Sequence, residues 1–406
     1  MADPAALDRA DPLAHLRERF ALPEGVVYLD GNSLGALPHA TREALARVIS
    51  DEWGIALIRS WGAADWIGLA RRTGDAIAPL IGAPAGTVVA CDSTSINLYK
   101  ALHCAAALRP GRTRLIADAD NFPTDVYIAR SVADERGLEL VLLPVSEIAA
   151  AIDERTVVVS LSHVSYRSSE IYDLAGITEA AHSAGALAIW DLAHSAGALR
   201  CDVQELGADL AIGCGYKYLN GGPGAPAFLY CAREHLERAA QPLTGWFGHD
   251  HPFAFTQEYR PAAGIERFLT GTTPVLSMSA LATSLEVFRD VSLDALRAKS
   301  VALGELFLEL FDESLAPRGF ELATPRDSAR RGSHVALTHP DGHAIVRALI
   351  ERGIIGDFRA PDLLRFGFAP LYNRFGDVEV LVDAIADVLD GGSFRDPRYA
   401  TPERVT

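Results

Sequence analysis

From about residue 85 onward, short unbroken apolar runs alternate with alanine-rich stretches of helical period. The runs TVVAC, RLIAD, LELVLLP, TVVVSL, ALAIW, DLAIG and PAFLYC lack a polar face, so they predict strands buried on both sides. Between them lie stretches such as ITEAAHSAGA, which stops at Gly185 as a helix C-terminus does. Strand–helix alternation of this kind predicts an α/β fold with a mostly parallel central sheet flanked by helices. After about residue 275 the helical stretches lengthen (SMSALATSLEVFRD, LDALRAKSVALGELFLELF), and two weaker strand signals follow near HVALTH and LLRFGFA. The first fifty residues read differently, as a short helix from Leu13 to Phe20 and then the turn-rich GNSLGALP. The organisation expected is an N-terminal arm over 1–50 packing with the small domain, a large domain over 51–275, and a small α+β domain over 276–406.

A chain of 406 residues exceeds one ordinary domain, which fits that division. The formal net charge of -16 argues against a nucleic acid or an anionic membrane as partner, since both need surplus Lys and Arg. One local basic site would still suffice for a small anionic ligand. No uninterrupted apolar stretch approaches bilayer length. The opening MADPAALDRADPLAHLRERF carries early acids and no apolar core, unlike a signal peptide. The five cysteines, Cys91, Cys104, Cys201, Cys214 and Cys231, form no CxxC pair, which fits a reduced, cytoplasmic protein.

In open α/β sheets, ligands gather at the carboxyl ends of the strands. Asp191 follows the run ALAIW directly, and alone it could be a solvated loop acid or a helix cap. Lys217 follows DLAIG by four residues, set between Tyr216 and Tyr218 ahead of a glycine-rich run; alone it could be an exposed loop lysine. Taken together they suit an electron-sink cofactor, which needs an amine for a Schiff base and a carboxylate to keep a pyridine nitrogen protonated. Adjacent strands lie about 5 Å apart, so neighbouring strand ends can reach opposite sides of one ring. The loop DSTSINL, residues 92–98, follows TVVAC and offers hydroxyls and backbone N–H groups at a helix start, either an ordinary cap or a phosphate site.

WDLAHSAGAL followed by GCGYKYLNGGPG resembles the cofactor core of the fold-type I pyridoxal-phosphate enzymes. YLDGNSLGALP, DNFPTD, GWFGHDHPF, FLTGTTPV and RFGFAPLYNRFGDV are similar to the kynureninases in particular, and these segments run from Tyr28 to Asp377. The resemblance implies pyridoxal 5'-phosphate held covalently by Lys217, with Asp191 on the pyridine nitrogen. It places Thr94 and Ser95 at the phosphate and Phe122 on the ring face. Pro123 and Thr124 belong to the same loop, and Asp125 lies near the ring nitrogen. Ser168, His194 and Tyr216 match further cofactor contacts, with Tyr216 also a proton relay whose phenol is made more acidic beside the phosphate. Trp246 and Thr272 match residues that complete a site across a homodimer interface, and Arg365 matches the arginine for the substrate carboxylate. The implied substrate is a small aromatic amino acid, L-kynurenine or 3-hydroxykynurenine, cleaved by water to an anthranilate and L-alanine in tryptophan degradation.

Rival readings differ in specific features. A cysteine desulfurase of this fold needs a mobile nucleophilic cysteine late in the chain, and none follows Cys231. A class V aminotransferase shares the core motifs and is separated by product. A catalytically dead binding protein on the same fold would typically lack the lysine. His249-Asp250-His251 has no further ligands at metal spacing, so no metal is expected. The glycines of GCG and GGPG do not form a dinucleotide fingerprint.

Overall fold

A computed structural model describes residues 3–399. The seven apolar runs become the strands of one sheet: β2 (Val88–Ala90), β3 (Arg114–Asp118), β4 (Glu139–Leu143), β5 (Thr156–Ser162), β6 (Leu187–Asp191), β7 (Leu210–Gly213) and β8 (Phe228–Cys231). Their spatial order is β2-β8-β7-β6-β5-β3-β4. The pairings from β7 across to β4 are parallel, while β8 runs antiparallel to both its neighbours. Every residue of β5, β6, β7 and β8 is buried, which is why those runs carry no polar alternation. The edge strand β4 is only half-buried. Burying each Val, Leu or Ile of this sheet stabilises by about 1.5–3 kcal/mol, so the sheet is a rigid floor for whatever stands at its strand ends.

The second sheet comprises β9 (Glu321–Leu322), β10 (His334–Thr338), β12 (Asp357–Arg359) and β13 (Leu363–Gly367), in the antiparallel order β12-β13-β10-β9. HVALTH and LLRFGFA supply its two longer strands. The other two are too short to show a period in sequence. The long helices Leu293–Leu310 and Phe375–Asp390 close its core.

The first fifty residues hold more helix than their pattern suggests. An α-helix spans Pro4–Ala10, the segment read as a helix from Leu13 is a 3-10 helix over Ala14–Arg19, and a further helix spans His39–Arg47. Two anchors fix this arm to the second core. β1 (Val27–Tyr28) pairs in parallel with β11 (Ile354–Ile355), and Asp8 accepts from the N–H groups of Phe375 and Gly376 at 2.7 and 3.1 Å. That carboxylate satisfies donors at a helix start and meets the positive end of the helix dipole. The turn GNSLG then crosses to the large sheet, where Gly35 N–H donates to Tyr216 O at 2.8 Å. A Cβ on Gly35 would lie 2.3 Å from Lys217 O, so only glycine permits this approach.

Candidate active site

A cavity of about 560 Å³ lies where β5, β6 and β7 end. Asp191 is the last residue of β6, in register with Ser162 of β5 and Ile212 of β7. Lys217 stands four residues beyond β7, in a loop folded tightly back on itself. Gly221 N–H donates to Gly215 O and Asn220 N–H to Lys217 O, both at 2.9 Å. Gly215 passes so close to the segment leading into β8 that a Cβ there would sit 2.4 Å from Pro226 O. The adjacency of the Asp191 and Lys217 strand ends, expected from two apolar runs, is therefore present in the sheet.

The carboxyls of Asp191 and Asp125 are hydrogen-bonded to each other. Burial raises both, and Asp191's charge raises Asp125 further, well above the ordinary carboxyl range. Lys217 and the Ala193 N–H, which donates to Asp191 Oδ1 at 2.7 Å, oppose the rise at Asp191. These opposing influences favour a shared proton on Asp125 and the negative charge on Asp191. Asn121 sets Asp125 in place: its Nδ2 donates to Asp125 Oδ2 at 3.2 Å, while its Oδ1 accepts from Ser162 Oγ at 2.6 Å and Phe122 N–H at 2.8 Å.

Lys217 Nζ lies 3.4 Å from His194 Nε2. Burial, then the nearby Lys217 charge, holds the His194 imidazole well below its usual pKa, so it is neutral and can accept from the amine. Tyr216 also lines the cavity, but burial pushes its phenol up, with Cys214 and Asp191 adding to the rise. The chain's own groups therefore oppose the acidic phenol expected from sequence, and any lowering has to come from a ligand.

Thr94 and Ser95 line the cavity at the start of the 15-residue helix Thr94–Leu108, capped by Ser93 Oγ accepting from Ile96 N–H. Free N–H groups and the helix dipole suit this end to an anion. Asp92, just before it, has φ +46° and is held by Lys100, which is fully buried. Lys100 Nζ reaches Asp92 Oδ2 at 2.5 Å, Phe268 O at 2.6 Å and Thr270 Oγ1 at 2.9 Å. An amine, a buried carboxylate and an anion-binding helix end around one cavity are the donor set that a phosphorylated pyridine aldehyde requires, so the residues present fit that group.

Phe122 and Thr124 line the cavity too, with Phe122 set edge-to-face against Tyr166 at 5.3 Å. Four expected residues lie outside it. Pro123 is the first residue of the helix Pro123–Arg136 and contributes backbone geometry. Ser168 turns into its own loop, where its Oγ accepts from Glu170 N–H at 3.3 Å, and Ser162 and Tyr166 face the cavity instead. Trp246 packs among Phe247, Phe253 and Phe255, of which the last two are 52% and 74% exposed, and Thr272 is exposed.

Arg365 lines the cavity, yet it already has a carboxylate partner. Its Nε donates to Asp357 Oδ1 at 2.8 Å and its Nη2 to Asp357 Oδ2, while the two side chains are 2% and 1% exposed. Breaking such a buried pair from one side costs about 3–5 kcal/mol. Arg365→Gln should therefore melt well below wild type in calorimetry; an unchanged transition would show the pair to be dispensable. Asn32, Ser33, Ser162, Tyr166 and Arg359 complete the walls and were not anticipated. Asn32 and Ser33 belong to the GNSLG turn, whose polar centre was the available signal. His249 and His251 both pair with Asp250, and among the described residues no group of three metal-ligating side chains converges. No helix of the described residues is long and apolar enough to cross a membrane.

Comparison with known proteins places this geometry. Residues 296–385 match the kynureninase C-terminal domain family, and residues 72–226 match the Cys/Met metabolism PLP-dependent enzyme family. The chain is 47% identical to a kynureninase of Pseudomonas fluorescens, covering 100% of this chain and 99% of that protein. It is 48% identical to one of Burkholderia pseudomallei, covering 99% and 98%. Among solved structures, the Escherichia coli cysteine desulfurase CsdA superposes with a TM-score of 0.78 at 25% identity, over 93% of this chain and 98% of that one. A cysteine desulfurase from Thermococcus onnurineus shares the fold at a TM-score of 0.76 and 19% identity, over 96% and 99%.

Proposed function

The chain belongs to the kynureninase family, and on that premise we propose that it cleaves the Cβ–Cγ bond of L-kynurenine or 3-hydroxykynurenine with water. The products are anthranilate or 3-hydroxyanthranilate and L-alanine. The observation that carries this reading is the convergence of Lys217, Asp191 and the Thr94 helix end on one cavity. Pyridoxal 5'-phosphate, when bound there, draws electron density from the substrate's α-carbon. The remaining chemistry falls to the chain. Lys217 holds the cofactor and, once free, moves a proton at the α-carbon, its amine steadied by neutral His194. Asp191 supplies the negative charge that keeps the ring nitrogen protonated. Tyr216 borders the same space and is placed to return protons to the departing fragments.

Incubating the protein with L-kynurenine tests the reading against a class V aminotransferase. Anthranilate and alanine in equal amounts, with no 2-oxo acid added, are expected. A strict requirement for a 2-oxo acid acceptor would favour the transaminase. The five free, buried cysteines support a reducing cytoplasmic setting and offer no exposed nucleophile for a desulfurase.

The working unit in this reading is a homodimer with shared sites. Two features support it: Trp246 and Thr272 stand outside their own chain's cavity, and an exposed apolar strip runs through Trp53, Ile55, Leu57 and Ile58. Mixing inactive Lys217→Ala and Trp246→Ala chains through a dissociation step should restore about one quarter of wild-type activity, since half the dimers are hybrids and each holds one intact site. Confirmed subunit exchange without rescue would mean that each site is self-contained.

A further inference from the structure

We infer that His334 is a positioning residue for Lys217: its buried imidazole, set ring against ring with His194, holds His194 where that residue meets the Lys217 nitrogen. The inference rests on Lys217 as the cofactor-bearing lysine of the reading above, and it names a residue that stands behind the cavity wall rather than in it.

The geometry starts in the backbone. His334 opens β10, and hydrogen bonds from the large domain fix the chain there. Gly332 N–H donates to Ser169 O at 2.7 Å, and His334 N–H donates to Ser169 Oγ at 3.3 Å. Ser333 O accepts from Tyr218 OH at 3.1 Å. Tyr218 directly follows Lys217, so the start of β10 is strapped to the lysine's own loop. Across the strand pair from His334 stands Gly367, which has no side chain to meet the imidazole. The imidazole pairs instead with His194, their centroids 5.7 Å apart and their planes tilted by 52°, within the range of packed aromatic rings. His194 Nε2 in turn lies 3.4 Å from Lys217 Nζ.

Packing alone does not account for an imidazole at this position. His334 is 1% exposed, and neither ring nitrogen has a hydrogen-bond partner among the described residues, the nearby Arg167 carbonyl lying outside bonding geometry. A buried polar group without a partner destabilises a fold, and a leucine would fill similar space without that cost. What the imidazole offers beyond leucine is a flat, polar neighbour for His194. Burial first, and then the charge of Arg365, bring His334 down to about 3, so it is neutral. It adds to the burial and the Lys217 charge that keep His194 uncharged. His194 is thereby held as a neutral acceptor facing the lysine.

A neutral acceptor held against Lys217 favours the protonated form of that nitrogen. The test follows the visible absorbance of cofactor-loaded protein against pH, beside its melting temperature. Asp191, Asp125, Cys214 and Tyr216 surround Lys217 in the large domain. Arg365 and Arg359 act on His194 from the second sheet, and Asp357 acts on His334. All of them remain in a His334 variant, so a shift reports on the imidazole. His334→Leu should lower the midpoint of the absorbance change by about half a pH unit to one unit, the worth of one hydrogen bond, while melting no lower than wild type. His334→Gln, which restores a planar polar group, should recover part of that shift. An unmoved midpoint in His334→Leu would overturn the inference. So would a shift that comes with a lowered melting temperature in both variants, which would mark a general disturbance where the domains meet. The kynureninase reading fails separately: a wild-type protein whose absorbance depends on His334 in this way but which releases no anthranilate from kynurenine would retain this inference and lose that one.

Discussion

Lys217→Ala should lose at least about a thousandfold in turnover, combining the loss of a covalent anchor with that of a proton-transfer group. The chain has only three lysines, and the structure gives each a distinct place. Lys100 is locked between Asp92, Phe268 O and Thr270. Lys299 is buried against Asp11 at 2.7 Å. Among the described residues only Lys217 brings an amine to the cavity, and that amine lies 3.4 Å from neutral His194. No other lysine can substitute without breaking a buried ion pair. Borohydride treatment followed by mass spectrometry provides a second readout: the wild-type chain should gain the mass of the reduced cofactor at Lys217, and the variant should not. Normal turnover or normal labelling in the variant would remove Lys217 from this role.

The large sheet was legible because its strands are buried on both faces, which leaves unbroken apolar runs such as TVVVSL and ALAIW. Asp191 and Lys217 stood out for the same reason, as charges placed where those runs end. The helix start beside the cavity was legible from Ser93, Thr94 and Ser95. What sequence could not give is pairing across long separations. The fork from Arg365 to Asp357 depends on the register of β12 against β13, and β12 has three residues and no period of its own. Asn121 lay within DNFPTD, yet its task of joining Ser162 to Asp125 needs β5 to sit beside β3. Ser168 was misplaced because SYRSSE offers several similar hydroxyls in one loop, and backbone folding alone decides which residues of that loop face inward.

Asp191→Asn should keep its cofactor and lose about a thousandfold in kcat, comparable to removing a preorganised electrostatic partner from a buried site. The argument turns on where the shared proton of the Asp125–Asp191 pair resides. Burial and the charge of Asp191 push Asp125 well above the ordinary range, which favours Asp125 as the neutral, donating partner. Burial raises Asp191 too, but Lys217 and the Ala193 N–H oppose that rise and favour the charge there. Replacing Asp191 by an amide removes that charge, and a pyridine nitrogen facing the amide loses the reason to stay protonated. Replacing Asp125 by asparagine leaves an N–H where the acid proton was, so the bond to Asp191 can persist. Asp125→Asn should consequently cost less than about tenfold, within the worth of one imperfect hydrogen bond. Comparing kcat for the two variants at equal cofactor loading decides the matter. If Asp125→Asn proves the more damaging of the two, the charge sits on Asp125, and Asp191 is its positioning partner.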